Sequence, residues 1–124
     1  MSFDLLNYIW IGVAVITFLP LVLFKIKAPY GRHSSQQWGP MISNKWGWFI
    51  MELPALVLMP LIAFMGSSTK NEVSYFLIGI WVLHYANRTL IFPFKIKTAN
   101  KKMPLVIVGS AVLFNGVNGF LNGY

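Results

Sequence analysis

The chain has 124 residues and a formal charge of +7; it is 56% hydrophobic and 16% aromatic but only 10% charged. A soluble domain has about 25% charged residues, so this balance describes a chain that lives in a bilayer. The lack of cysteine excludes disulfides and thiolate metal sites, and His33 and His84 with three acids leave little material for a metal cage. The basic residues fall in short clusters between apolar runs, not along one solvated face, which argues against nucleic acid and for membrane topology.

Residues 5–24 are twenty uncharged residues ending at Lys25 and Lys27, enough at about 1.5 Å per residue to cross a hydrocarbon core of about 30 Å. The run begins almost at Met1 without a basic leader and is too long for a signal core, so it is expected to remain in the membrane as a helix. Residues 46–65 start with Trp46 and Trp48 at interfacial depth and are interrupted by Glu52, Pro54 and Pro60, which predicts a kinked helix. Residues 73–94 are apolar apart from His84, Asn87 and Arg88, and residues 103–124 carry no charge. That last run contains the pairs Asn115-Gly116, Asn118-Gly119 and Asn122-Gly123, which in water would signal turns. In lipid, Gly119 and Gly123 form a small-xxx-small pair, and Asn115, Asn118 and Asn122 share a helical face suited to helix contact or a polar cavity wall. The expected fold class is therefore all-α, a polytopic transmembrane bundle of about four helices forming one unit over residues 1–124.

Lys25, Lys27, Arg32 and Lys45 lie between the first two helices, and Lys95, Lys97, Lys101 and Lys102 between the last two, while the linker with Lys70 and Glu72 is neutral. The positive-inside rule makes loops 25–45 and 95–102 cytoplasmic and the N-terminus extracytoplasmic, in a bacterial inner membrane or the endoplasmic reticulum. Phe-Lys-Ile-Lys recurs at 24–27 and 94–97, which reads as two coincident snorkelling junctions, not as an internal repeat.

An ionisable group inside the hydrocarbon costs roughly 2.5 to 3.5 kcal/mol on insertion scales, so Glu52, His84 and Arg88 must face protein, water or a partner. By helical rise Glu52 lies roughly 9 Å and Tyr85 roughly 13 Å below the cytoplasmic boundary, comparable depths in antiparallel helices. Trp81, His84, Tyr85 and Arg88 recur at i, i+3, i+4 and i+7, a polar-aromatic stripe expected to face a single neighbour, with Glu52 its acidic partner within the membrane. Two readings stand: a structural Glu52–Arg88 pair that fixes register, or a desolvated, neutral Glu52 that donates a hydrogen bond beside Tyr85 to polarise a carbonyl. The segment from Ala28 to Pro40 combines turn, basic and aromatic residues at the cytoplasmic face and by itself reads as an interfacial loop.

Through Ala28-Pro29-Tyr30-Gly31-Arg32-His33, Trp48-Phe49-Ile50-Met51-Glu52-Leu53-Pro54 and His84-Tyr85-Ala86-Asn87-Arg88-Thr89, in that order, the chain resembles the steroid 5-alpha-reductase family (3-oxo-5-alpha-steroid 4-dehydrogenases). Asn118-Gly119 and Leu121-Asn122-Gly123-Tyr124 extend the similarity to the end of the chain. The resemblance implies the N-terminal half of a fold of about seven helices, with most NADPH contacts in a C-terminal half or a paired chain and no reduction by this half alone. It implies that Glu52 and Tyr85 hold the 3-keto group of a hydrophobic, steroid-like substrate arriving from the lipid while NADPH delivers hydride to the far carbon of the conjugated double bond. Trp48 and Met51 would line the substrate pocket, His84 and Arg88 would support it, and Lys101 would be a phosphate contact. Met51 before the acid resembles plant and bacterial members, where animal members have glutamine. The alternatives are an enoyl-thioester or polyprenol reductase of the same superfamily, or a non-catalytic four-helix membrane protein.

Overall fold

In a computed structural model, residues 2–27 and 33–124 are described. The first helix, α1, spans Phe3–Leu23, capped by Ser2, whose hydroxyl accepts from the Leu5 N–H at 3.2 Å. It stops where Lys25 turns to φ 50°, with the Lys25 and Ile26 N–H groups closing back on the Val22 and Leu21 carbonyls. This is a left-handed stop of the kind that satisfies terminal carbonyls. The second Phe-Lys-Ile-Lys ends differently, with Ile96 extended at φ −66°, ψ 140°, so the repeat reflects two junctions and not one motif.

Helix α2 covers Asn44–Met65 and is continuous through Pro54 and Pro60. Helix α3 covers Glu72–Ala86, capped by Asn71, whose Oδ1 accepts from the Ser74 N–H at 2.9 Å. It passes without interruption into a π-helical turn, Asn87–Ile91, and then α4, Phe92–Lys95. The turn has a local cause. Pro93 removes an N–H from the ladder and its ring crowds the carbonyl four residues back, and the Phe92 N–H bonds the Asn87 carbonyl five residues back. Helix α5, Leu105–Gly123, runs straight over all three Asn-Gly pairs. In lipid the backbone must satisfy itself, and that requirement overrides the turn propensity of Asn-Gly. Helices α1, α2 and α5 are each long and apolar enough to cross a membrane, and the α3–π–α4 rod supplies the fourth long element.

Helix α2 is the hub. Gly119 and Gly123 of α5 are buried against it, so closely that a Cβ on Gly123 would lie 2.5 Å from the Met59 carbonyl oxygen. Asn115 donates from Nδ2 to the Met51 carbonyl at 2.5 Å. These contacts run in the same order along both chains, so α2 and α5 are parallel. The α3 rod packs antiparallel against α2, through Trp81 to Ala55 and Arg88 to Glu52. Helix α1 buries no residue and meets α5 through Phe3–Tyr124 stacking at 4.7 Å and Trp10–Phe114 at 5.5 Å.

An element that the hydropathy pattern gives no sign of joins the two basic linkers. Strands β1, Met41–Ser43, and β2, Lys102–Pro104, form an antiparallel ladder with Ile42 opposite Met103. Asn44 reinforces it, its N–H donating to the Lys101 carbonyl at 2.7 Å and its Nδ2 to Thr98 Oγ1 at 2.9 Å. The two linkers therefore sit at the same end of the bundle.

Candidate functional site

The site begins with an acid that α2 carries into the packed interior. Glu52 is 5% exposed. The π-helical turn presents Arg88 to it, and Nε at 3.1 Å and Nη2 at 2.6 Å both donate to Oε1, leaving Oε2 for another partner. The guanidinium is held from its faces as well, 4.6 Å from the Trp48 ring and 5.2 Å from that of Phe92. Such a stacked, doubly bonded arginine is a fixed positive charge. The direct contact between Arg88 and Glu52 is the pairing that the register-fixing reading of the sequence expects.

Tyr85 stands where three helices converge. It feels the charges of Glu52 and Arg88, and its hydroxyl interacts with the side chain of Asn118 on α5. Asn118 is itself held by Asn122, whose Nδ2 donates to the Asn118 carbonyl at 2.8 Å and Oδ1 at 3.1 Å. The Tyr85 ring packs on Trp81 at 4.7 Å and His84 at 5.1 Å, and Trp81 is fixed by donating from Nε1 to the Ala55 carbonyl at 2.8 Å. Tyr85 and His84 line a cleft of about 460 Å³ whose other walls include Met59, Leu77 and Ile80. A mostly apolar slot with Tyr85, His84 and Asn122 as its polar groups suits a flat hydrophobic ligand with a carbonyl.

The expected stripe does not face one neighbour. Trp81 and Arg88 reach α2, Tyr85 reaches Asn118 of α5, and His84 is exposed on the cleft. The change from α to π winding at Asn87 redirects the side chains on its C-terminal side. Glu52, whose charge acts on Tyr85, adjoins the cleft without being one of its lining residues. Met51 is buried against Met103 and Val108 and points to α5, with Trp48 on the edge of that cluster beneath Arg88. Lys101 is exposed on the linker, where its carbonyl serves Asn44, and it does not line the Tyr85 cleft. The segment Ala28–Arg32 lies outside the described residues. Asn118 is the contact that sequence alone groups with helix packing; its signal is the face it shares with Asn115 and Asn122.

No protein-family model matches the chain. Curated proteins do. Steroid 5-alpha-reductase DET2 of Gossypium hirsutum is 36% identical over 102 residues, 80% of this chain and 40% of the relative. Steroid 5-alpha-reductase DET2 of Solanum lycopersicum is 33% identical over 122 residues, 95% of this chain and 48% of the relative. The 3-oxo-5-alpha-steroid 4-dehydrogenase 1 of Bos taurus is 33% identical over 123 residues, 95% of this chain and 46% of the relative. The chain thus spans less than half the length of these curated relatives.

Proposed function

The chain belongs with the steroid 5-alpha-reductases as their homologue, and from that premise we propose that it is the membrane half of an NADPH-dependent reductase of conjugated ketones, acting on 3-oxo-delta-4 steroids or a similar lipid. The observation that carries this reading is Tyr85, presented to an apolar cleft beside a buried carboxylate that Arg88 holds in place. The ketone oxygen would take a hydrogen bond from the Tyr85 hydroxyl and one from Glu52 through the Oε2 that Arg88 leaves unused. A carboxylate only accepts, so that second bond needs one proton on Oε2, taken up from solvent when the ketone binds. Both donors would strengthen as the oxygen gains enolate charge, lowering the barrier more than they stabilise the bound ketone.

The nicotinamide supplies the hydride when bound. Lys101, a solvated cation at the basic end, suits a phosphate as a point charge but encloses no dinucleotide. The rest of the cofactor site would come from a further half or a paired chain, and no step here is routed through it.

The test is NADPH-dependent reduction of testosterone or progesterone by membranes carrying the full-length protein. Tyr85→Phe is expected to lower kcat/KM by about 100-fold, in the range for loss of an oxyanion donor, and Glu52→Ala at least as much. If reduction survives Glu52→Ala, the site is misassigned. The Glu52–Arg88 pair then serves only to hold helix register, which the direct ion pair would also suit.

A further inference from the structure

A tyrosine hydroxyl has a single proton to give. If Tyr85 is to hold a ketone, that proton must point into the cleft and not be spent on an acceptor of the protein. The group that decides this lies on α5, where the side chain of Asn118 meets the Tyr85 hydroxyl. An asparagine amide can do either of two things there. Its Oδ1 takes the proton of a hydroxyl, whereas its Nδ2 gives one and leaves the hydroxyl's own proton free.

Asn122 fixes which end is presented. It lines the same cleft as Tyr85, and its Nδ2 donates to the Asn118 carbonyl at 2.8 Å and to Asn118 Oδ1 at 3.1 Å. The two residues are one helical turn apart on the same face of α5. With Oδ1 turned toward Asn122, Nδ2 is the end left for Tyr85. Helix packing does not account for this bond. It joins two residues of one helix, while α5 is held on α2 by Gly119, Gly123 and the bond from Asn115 to the Met51 carbonyl. Asn122 is moreover exposed. What the bond does is orient the Asn118 amide.

We propose that Asn118 is a positioning residue whose Nδ2 donates to the Tyr85 oxygen and so aims the Tyr85 proton at the ketone. The proposal rests on the reading of Tyr85 as the ketone donor. Asn122, Asn118 and Tyr85 then form a chain of donors that all point one way, toward the substrate. Each bond in such a chain polarises the next. The chain strengthens as the ketone oxygen gains enolate charge, so its contribution falls on the transition state more than on the bound ketone.

The experiment reads the ketone directly. Testosterone isotopically labelled at its ketone carbon is bound, with oxidised cofactor, to the full-length protein in lipid nanodiscs, and the carbonyl stretch is followed by infrared difference spectroscopy. Turnover with NADPH is measured in parallel. Asn118→Leu removes the donor. Asn122→Asp, at an exposed position that folding should tolerate, replaces a donor by an acceptor, which reverses the Asn118 amide and presents its Oδ1 to Tyr85. Both are expected to raise the stretch toward its value in Tyr85→Phe and to lower kcat by about tenfold, the worth of one hydrogen bond, with KM changed less. In the Tyr85→Phe background neither should have a further effect. A stretch that stays at the parent value in either folded variant, or an equal shift in the Tyr85→Phe background, overturns the role of Asn118 and leaves the ketone assignment standing. If Tyr85→Phe itself leaves the stretch unmoved, the ketone assignment fails and the role of Asn118 falls with it.

Discussion

At the scale of single residues, the Glu52–Arg88 pair decides most about the interior. Its carboxylate is almost wholly enclosed, 7% exposed, while the arginine keeps 32% of its side chain accessible. Removing the cation would leave a buried charge unpaired, which costs more than the pair's net contribution. Arg88→Met is therefore expected to destabilise the protein by about 2 to 3 kcal/mol, below the full cost of a dry pair because the arginine is partly exposed. Glu52→Gln combined with Arg88→Met should recover most of that loss. Thermal unfolding in detergent of both single variants and the double variant checks this; strictly additive effects would mean that the two side chains are not coupled. Trp48 belongs to the same unit, since its ring supports the guanidinium at 4.6 Å. A tryptophan that reads from sequence as a pocket wall or an interfacial anchor thus acts on the site through Arg88.

At the scale of elements, two local interruptions shape the bundle. Pro93 converts the end of the third rod to π winding, which brings Arg88 onto Glu52. Two glycines let α5 lie on the α2 backbone. An added Cβ at Gly123 would meet the Met59 carbonyl oxygen at 2.5 Å and its Cα at 3.2 Å, so whole backbones must separate. At Gly47 the clash at 2.5 Å is with the sulfur of Met103, a flexible side chain that can turn aside. At Gly109 nothing lies within 4 Å. Gly123→Ala is accordingly expected to cost about 1 to 3 kcal/mol. Gly109→Ala should be neutral or stabilise by up to about 1 kcal/mol through helix propensity. Melting temperatures of the two variants in the same detergent decide it, and equal losses would contradict close α2–α5 packing.

At the scale of the whole molecule, the β1–β2 ladder places both basic linkers together, and the Lys70 linker lies at the other end of α2 and α3. The positive-inside reading makes the ladder cytoplasmic. The cysteine-free sequence allows a clean test with single cysteines at Ser68 and Asn100. In sealed, right-side-out vesicles an impermeant maleimide should label Ser68→Cys and reach Asn100→Cys only after permeabilisation. The reverse pattern would invert the topology and turn the basic ladder outward.

Hydropathy and helical periodicity determined a great deal unaided: the helical class, the four long apolar segments to within a few residues, and the ionisable residues out of place in lipid. These come from the chain's own composition, because in a bilayer each segment must bond its backbone internally. One pairing between distant segments was legible, that of Glu52 with Arg88, because each was the other's available opposite charge within the membrane. Sequence spacing put Tyr85 on the same stripe as Arg88, and only packing sent it to Asn118 of α5. The packing of Met51 against Met103 and Val108 likewise depends on the parallel approach of α5, which the sequence does not show. The ladder escaped notice because three-residue strands have no periodicity to detect; they exist only because α2 and α5 start side by side. Residue type fixed which groups had to find partners, and tertiary structure decided which partners they found, since desolvation is a property of each residue whereas proximity belongs to the packed helices.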